Sequence, residues 1–145
     1  MIALGADHAG FEYKENIKGL LNSMGLEFQD FGTFSTDPVD YPDYGHLVAE
    51  AVAQGKAESG ILICGTGVGM SIVANKHQGI RAANVESVEA AVLARKHNNA
   101  NILAIGARIV PWERAVQIVK AFFTTEFEGG RHERRVLKIH SLTNL

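Results

Sequence analysis

Short apolar runs alternate with amphipathic segments along the whole chain. Five apolar runs have the length of buried strands: residues 2–6, 26–31, 60–64, 81–85 and 102–105. Apolar positions at helical spacing, or a basic amphipathic pattern in the tail, predict helices over residues 11–24, 43–53, 70–76, 87–97, 111–123 and 129–139. Pro111 is expected at the first helical position of its helix, where its missing N–H has no cost.

This alternation predicts the fold class. Strands separated by helices, without hairpin signals, indicate a mainly parallel sheet that is covered on both faces. The prediction is therefore an α/β protein with a three-layer α/β/α, Rossmann-like architecture, a five-stranded sheet and a C-terminal helical extension. The length of 145 residues suits one domain over residues 1–145. Ligands of such sheets bind at the edge formed by the carboxyl ends of the strands.

Composition narrows the classes of function. The chain has 14 Lys and Arg against 16 Asp and Glu, and this net charge of −2 argues against a general nucleic-acid binder. One cysteine cannot form an internal disulfide. No apolar run is long enough to span a membrane and no signal peptide is visible, so the expected location is the cytoplasm.

A glycine-rich turn follows the third predicted strand. Gly65, Gly67 and Gly69 alternate between a buried strand and a helix start, so successive backbone N–H groups can converge on an anion. The turn is not a dinucleotide fingerprint, since its third glycine would fall at Met70, and no P-loop lysine follows. A turn required only for helix–strand packing is the alternative interpretation.

Cys64 directly precedes this turn. A lone cysteine at the end of an apolar strand is most often a small buried hydrophobe. Here it also lies beside a helix N-terminus, a position that stabilises a thiolate. A thiolate at Cys64 is a candidate nucleophile or general base, and the residues alone leave both open.

Two further pairs end secondary-structure elements. Asp7 and His8 follow the first strand and are either turn formers or ligand contacts. His97 and Asn98 end a helix, where histidine is a dipole-compatible cap or a candidate acid.

The basic tail holds a candidate anion clamp. Arg131 and Arg135 are four residues apart on a predicted helix, so they share a face and can bind one phosphate or carboxylate. A solvated basic face is the alternative interpretation. The six histidines show no metal-ligand spacing, so no metal is predicted. Together, a base, an anion hole, an acid and a phosphate clamp suit proton abstraction next to the carbonyl of a sugar phosphate.

Several short motifs occur together along nearly the whole chain: Asp7-His8, Asp40-Tyr41-Pro42, Ile63-Cys64-Gly65-Thr66-Gly67-Val68-Gly69, Ala74-Asn75-Lys76, Gly79-Ile80-Arg81-Ala82, His97-Asn98, Ala100-Asn101 and Gly129-Gly130-Arg131-His132. With these motifs the sequence resembles the type B ribose-5-phosphate isomerases of the ribose/galactose isomerase family. The resemblance implies interconversion of ribose 5-phosphate and ribulose 5-phosphate without a metal or organic cofactor.

The resemblance also implies roles for individual residues. Cys64 is the base that moves the proton between C1 and C2, and His97 is the acid that opens the furanose ring. Thr66 is also expected to be a catalytic residue. The anion hole for the enediolate comes from Gly65, Gly67, Val68 and Gly69. Asn98 holds a hydroxyl or the enediolate oxygen, and Asp7 contacts the sugar near the ring oxygen. The phosphate is expected to bind to His8, Arg108, Arg131 and Arg135.

In that family the site straddles a dimer interface, and the His-Asn pair comes from the neighbouring subunit. The resemblance therefore implies a homodimer with shared active sites, and some relatives pair dimers into tetramers. One branch uses a glutamate just past the glycine turn as the base. Met70 occupies that position here and cannot act as one, so the role falls to Cys64.

Three alternatives stay open. Galactose-6-phosphate isomerase subunits share the Cys-Gly-Thr-Gly turn, but they typically lack the His-Asn pair and the Gly-Gly-Arg-His tail. Allose 6-phosphate is a substrate of some family members, and nothing in the sequence excludes it. From a different class, the fold could serve as a non-catalytic nucleotide-binding or phosphate-binding domain.

Overall fold

The computed structural model describes residues 1–145 and contains the five predicted strands and six predicted helices. The strands are β1 (Ile2–Ala6), β2 (Phe28–Asp30), β3 (Ser59–Cys64), β4 (Ala82–Asn84) and β5 (Ile102–Gly106). The helices are α1 (Phe11–Ser23), α2 (Tyr41–Ala53), α3 (Val68–Ala74), α4 (Val88–Asn98), α5 (Trp112–Thr124) and α6 (Arg131–Ser141). None of these helices combines the length and the apolar character that a membrane-spanning helix needs.

The sheet has the strand order β2-β1-β3-β5-β4, and every neighbouring pair is parallel. The predicted α/β architecture is thereby confirmed, with a sheet that is entirely parallel. In the centre of the sheet, Gly60 pairs with Ile102 and Cys64 pairs with Gly106. Strands β1 and β3 lie side by side where the chain order changes direction, the position at which open α/β sheets bind ligands.

Alternating strand residues pack into two separate cores. Ile61 and Ile63 belong to a buried cluster that also includes residues of α1, α4 and α5. Leu62 and Cys64 point to the other face, into a cluster with residues of α2 and α3. This period-two alternation makes the three layers and fixes which face each strand residue occupies.

Two helices begin earlier than the sequence predicts. Helix α2 starts at Tyr41 because Pro42 lies in the first turn, where a backbone N–H has no helical partner anyway. Helix α3 starts at Val68, directly after Gly67, whose φ of 81° ends the loop. The expectation for Pro111 was wrong, since it is the extended N-cap of α5 and the first helical residue is Trp112.

The two edge strands are shorter than predicted. Strand β2 has three residues in place of the expected 26–31, and β4 has three in place of 81–85. Each pairs with one neighbour only. Leu26 and Val85, which lie beyond these short strands, still pack against the core.

A buried ion-pair cluster joins α1 to β2. The ammonium group of Lys14 has no exposed surface and lies 2.6 Å from Asp30 Oδ2 and 3.0 Å from Glu15 Oε2. Burial by itself raises the pKa of Asp30, but hydrogen bonds from Lys14 and Lys18 outweigh it and the pKa is lowered. The cluster is structural and lies outside the sites described below.

Candidate functional site

The carboxyl edge of β1, β3 and β5 brings together most of the predicted site residues. The N–H of Asp7 donates to the carbonyl of Ile63 at 3.2 Å, which ties the loop after β1 to β3. The N–H of Arg108 donates to the carbonyl of Gly65 at 2.9 Å, which ties the loop after β5 to the glycine turn. Backbone pairing thus continues past the strand ends and places these loops side by side.

Cys64 lies at the centre of this edge, 4% exposed. Its Sγ accepts a hydrogen bond from the N–H of Gly67 at 3.1 Å. Gly67 has a φ of 81°, and a Cβ there would lie 2.5 Å from Oδ1 of Asn84. Only glycine fits this position, and its conformation directs an N–H dipole at the sulfur, the orientation that stabilises negative charge there.

The remainder of the turn is open to solvent. Thr66 and Val68 are exposed, and Oγ1 of Thr66 accepts the N–H of Val68 at 3.2 Å. The turn packs directly on β5, since a Cβ at Gly106 would lie 2.4 Å from the carbonyl carbon of Thr66. The guanidinium of Arg108 lies beside Gly65, 3.3 Å from the position that a Cβ would take there.

Asp7 and His8 are fixed by hydrogen bonds at the end of β1. Oδ1 of Asp7 accepts the N–H of Gly10 at 3.0 Å. Nδ1 of His8 accepts the N–H of Val39 at 3.1 Å, so in the neutral ring Nε2 carries the proton and is free to donate. Asp7 is thus oriented by a backbone group of its own turn, and His8 by a backbone group of the loop before α2.

Tyr41 is a further residue of the site, to which the sequence pattern gives no role. Its ring lies against the glycine turn, because a Cβ at Gly69 would be 2.7 Å from Cζ of Tyr41. The tyrosine belongs to the Asp40-Tyr41-Pro42 motif, which was the only signal in the sequence. Its contact arises only when the first turns of α2 and α3 pack together.

His97 and Asn98 lie at the opposite, amino edge of the sheet. They end α4, and the segment that follows leads directly into the start of β5. The carbonyl of Asn98 accepts a hydrogen bond at 3.1 Å from Nε of Arg81, which lies just before β4. Over the four residue steps from Ile102 to Gly106 the two edges are about 13 Å apart. The structure therefore does not bring His97 to Cys64 within one chain.

Arg81, to which the sequence pattern gives no role, fixes the end of α4. Its guanidinium donates to the carbonyls of Asn98 and Asn99, with a shortest distance of 2.8 Å, and also meets Nε2 of His140 at 2.8 Å. A cleft of about 380 Å³, bordered by Arg81, Asn98 and His140, lies beside this network on the amino edge.

His97 belongs to a cluster with Glu128, which lies in the loop before α6, and His132, the second residue of α6. Its ring stacks on His132 with centroids 4.3 Å apart and planes inclined by 14°. One donor atom from each of His97, Glu128 and His132 lies within 4.8 Å of the others. Two imidazoles and a carboxylate are a donor set that divalent transition metals accept, although the spacing of these residues along the sequence does not indicate it. Parallel rings, however, do not converge on one ion, so the arrangement here is a stacked pair.

Arg131 and Arg135 lie beside this pair. Burial lowers the pKa of His132, the charges of His97, Arg131 and Arg135 lower it further, and Glu128 acts in the opposite direction. Both arginines are exposed on α6. They therefore belong with His97 rather than with His8 and Arg108.

The candidate residues thus form two half-sites. The Cys64 half-site, on the carboxyl edge, consists of Asp7, His8, Tyr41, Cys64, residues 65–69 and Arg108. The His97 half-site, on the amino edge, consists of His97, Asn98, Glu128, Arg131, His132 and Arg135.

Comparisons with known proteins agree with this arrangement of fold and motifs. Residues 2–139 match the family described as Ribose/Galactose Isomerase. The chain is 49% identical over 141 residues to ribose-5-phosphate isomerase B of Escherichia coli (strain K12), covering 97% of this chain and 95% of that protein. The structure of Clostridium thermocellum ribose-5-phosphate isomerase B superposes with a TM-score of 0.97 at 48% identity, covering 99% of this chain and 97% of that one. Ribose-5-phosphate isomerase B of Mycoplasma genitalium, with bound ribulose 5-phosphate, gives 0.94 at 41% identity, covering 99% and 95%.

Proposed function

Because this chain belongs to the ribose/galactose isomerase family, we propose that it interconverts ribose 5-phosphate and ribulose 5-phosphate. The observation that carries the proposal is Cys64, whose sulfur lies at the carboxyl edge of a parallel sheet and accepts the N–H of Gly67. The Mycoplasma genitalium relative binds ribulose 5-phosphate. The family match over residues 2–139 supports one sugar-phosphate isomerase domain over residues 1–145. Such a metabolic enzyme belongs in the cytoplasm.

The first step is ring opening. His97 donates a proton to the ring oxygen as the bond between C1 and that oxygen breaks, and the C1 hydroxyl passes its proton to solvent water to give the open aldehyde. Asp7 contacts the sugar near the ring oxygen. Asn98, held by Arg81 through its backbone carbonyl, presents its amide to a sugar hydroxyl or to the later enediolate oxygen.

The second step moves a proton between two carbons. The Cys64 thiolate takes the proton from C2, the C–H electrons form a C1–C2 double bond, and the carbonyl electrons move to the C1 oxygen. Backbone N–H groups of residues 65–69 stabilise the resulting enediolate, and Thr66 lies within the same turn. The proton of the C2 hydroxyl then passes to the C1 oxygen, and the proton held by Cys64 is delivered to C1. The electrons of the double bond shift so that the carbonyl forms at C2, and ribulose 5-phosphate results.

The phosphate anchors the substrate at the other end. We assign it to His8 and Arg108 from the Cys64 half-site and to Arg131 and Arg135 from the His97 half-site. Guanidinium groups suit a phosphate because they donate parallel hydrogen bonds to two oxygens. One phosphate meets all four side chains only if the two half-sites face each other.

We therefore propose that the active site is completed by a second copy of the chain. The two half-sites lie on opposite edges of one sheet, and these edges are about 13 Å apart. In a two-fold dimer, the Cys64 half-site of one subunit can face the His97 half-site of the other, and the same contact occurs twice. Pairing of such dimers would give a tetramer with the same sites.

Turnover of three substrates in deuterated solvent tests the proposed function. We expect ribose 5-phosphate to be converted with deuterium incorporated from solvent, and with a higher kcat/KM than allose 6-phosphate or galactose 6-phosphate. Turnover is expected to survive dialysis against a chelator, because no step above uses a metal. A higher kcat/KM for one of the hexose phosphates would identify that sugar, and not ribose 5-phosphate, as the preferred substrate. Thermal stabilisation by nucleotides without any sugar-phosphate turnover would identify a binding domain instead.

A further inference from the structure

The ring of His132 forms the support on which His97 rests. The ring centroids are 4.3 Å apart and nearly parallel, and His132 is 8% exposed while His97 is half-buried. The outer ring is therefore the one available to a substrate, and the inner ring is fixed in the protein. This geometry assigns different tasks to the two histidines.

The backbone holds His132 in that position. Gly129 and Gly130 have positive φ angles of 68° and 57°, which turn the chain sharply into the first turn of α6. The N–H of Glu128 donates to the carbonyl of Lys96 at 3.2 Å, and the N–H of His132 donates to that of Gly129 at 3.1 Å. The start of α6 is thus fastened to the end of α4, next to His97.

The surroundings of the inner ring disfavour a positive charge on it. Burial and the neighbouring Arg131 and Arg135 disfavour a cationic His132, so its ring offers a neutral π face. A cation is attracted to such a face, whereas a second imidazolium would repel it. The carboxylate of Glu128 lies within 4.8 Å of both rings and adds further attraction for a protonated His97.

We propose that His132 is a positioning residue for ring opening, and that its stacked ring holds His97 in the orientation from which it protonates the ring oxygen. This inference rests on the proposed function. His132 itself does not touch the substrate. The aromatic face is what matters, so another flat ring should serve in its place.

Two reactions separate ring opening from proton transfer. Ribose 5-phosphate is a closed furanose and must be opened first. Ribulose 5-phosphate stays open, because its C5 hydroxyl carries the phosphate and cannot close a five-membered ring on C2. Exchange of solvent deuterium into C1 of ribulose 5-phosphate therefore needs Cys64 but no ring opening.

The test measures both reactions in His132→Ala and His132→Phe. For His132→Ala we expect kcat on ribose 5-phosphate to fall about tenfold, while exchange into ribulose 5-phosphate stays within about twofold. His132→Phe should restore most of the lost rate. Equal losses in both reactions, no loss in either, or a phenylalanine variant as slow as the alanine variant would each overturn the proposal. His132→Gln, similar in size without a ring, replaces the alanine variant should that one not fold.

Two controls are matched to this design. His46 and His77 form a second imidazole pair outside both half-sites, with a nitrogen–nitrogen distance of 3.1 Å, so His46→Ala should leave both rates unchanged. His97→Gln tests the proposed function itself. If that variant retains full turnover of ribose 5-phosphate, the assigned acid is wrong. If it slows as expected while His132→Ala does not, only the inference about His132 fails.

Discussion

The two half-sites are built in different ways. The Cys64 half-site stands on the ends of three adjacent strands, and its geometry comes from the backbone, since a Cβ at Gly67 would meet Asn84 at 2.5 Å. The His97 half-site stands on a helix end and is held by side chains, chiefly Arg81 and His132. At Gly129 and Gly130 a Cβ would meet nothing within 4 Å. Backbone geometry thus sets the Cys64 half-site assigned to proton transfer, whereas side-chain contacts orient His97, which is assigned to ring opening.

This difference fits the chemistry assigned to each half. The enediolate is an intermediate that forms only in the active site, so its base and its N–H donors must already be in place when charge develops. The acid acts once, on a ring oxygen whose position depends on how the sugar docks.

The largest effect is expected at the base. Cys64→Ala should lower kcat about 10³-fold, both on ribose 5-phosphate and in exchange of solvent deuterium into ribulose 5-phosphate, because both reactions need the base. Nuclear magnetic resonance of the C1 proton measures the exchange. Full exchange in this variant would show that another group takes the proton.

A smaller and selective effect is expected at the acid. His97→Gln should lower kcat on ribose 5-phosphate about a hundredfold and change exchange into ribulose 5-phosphate by less than about threefold. The same two assays measure the split. An equal loss of rate in both reactions would place His97 in the proton-transfer step. Ring opening and proton transfer would then not be assigned to separate half-sites.

The phosphate clamp should affect binding more than rate. Arg131→Gln is expected to raise KM for ribose 5-phosphate about tenfold, since it removes a charge-assisted hydrogen bond to the phosphate. Arg134→Gln, on the same exposed helix but outside the clamp, is the control and should leave KM unchanged. Initial-rate measurements give KM for both variants. Equal increases in KM would show that Arg131 attracts the phosphate only through its general positive charge.

The smallest effect on activity is expected outside both half-sites. Asp30→Asn leaves the buried Lys14 with only Glu15 as partner, so the free energy of unfolding should fall by about 3 kcal/mol at neutral pH while kcat stays the same. The folded pKa of Asp30 is lowered, so its contribution is present above its unfolded pKa and is lost as pH falls through the folded value. Urea unfolding of the wild-type and Asp30→Asn proteins, at neutral pH and below about pH 4, measures the difference between their free energies of unfolding. This difference should become smaller in acid. A difference that does not change with pH would show that Asp30 does not stabilise the fold as an ionised partner of Lys14.

Periodicity predicts most of the fold and most of the Cys64 half-site. Parallel strands share a carboxyl edge, so Asp7, His8, Cys64 and Arg108 could be placed together from strand ends alone. The start of α2 and the cap at Pro111 were predicted wrongly, because proline is compatible with both the N-cap and the first turn.

The His97 half-site was predicted less completely. The contact of Arg81 with Asn98 and the stack of His132 on His97 join residues 17 and 35 positions apart. Neither pair follows a helical or strand period, and both depend on how α4, α6 and the loop before β4 pack. Histidine spacing in the sequence could not reveal the cluster with Glu128 for the same reason.

In the proposed dimer, each active site takes its base from one subunit and its acid from the other. Mixing the inactive Cys64→Ala and His97→Gln proteins under conditions that exchange subunits tests this directly. Each mixed dimer then contains one intact site and one doubly altered site, so about a quarter of wild-type turnover of ribose 5-phosphate should return when half of the dimers are mixed. No recovery, with mixed dimers demonstrated by mass spectrometry, would contradict the claim.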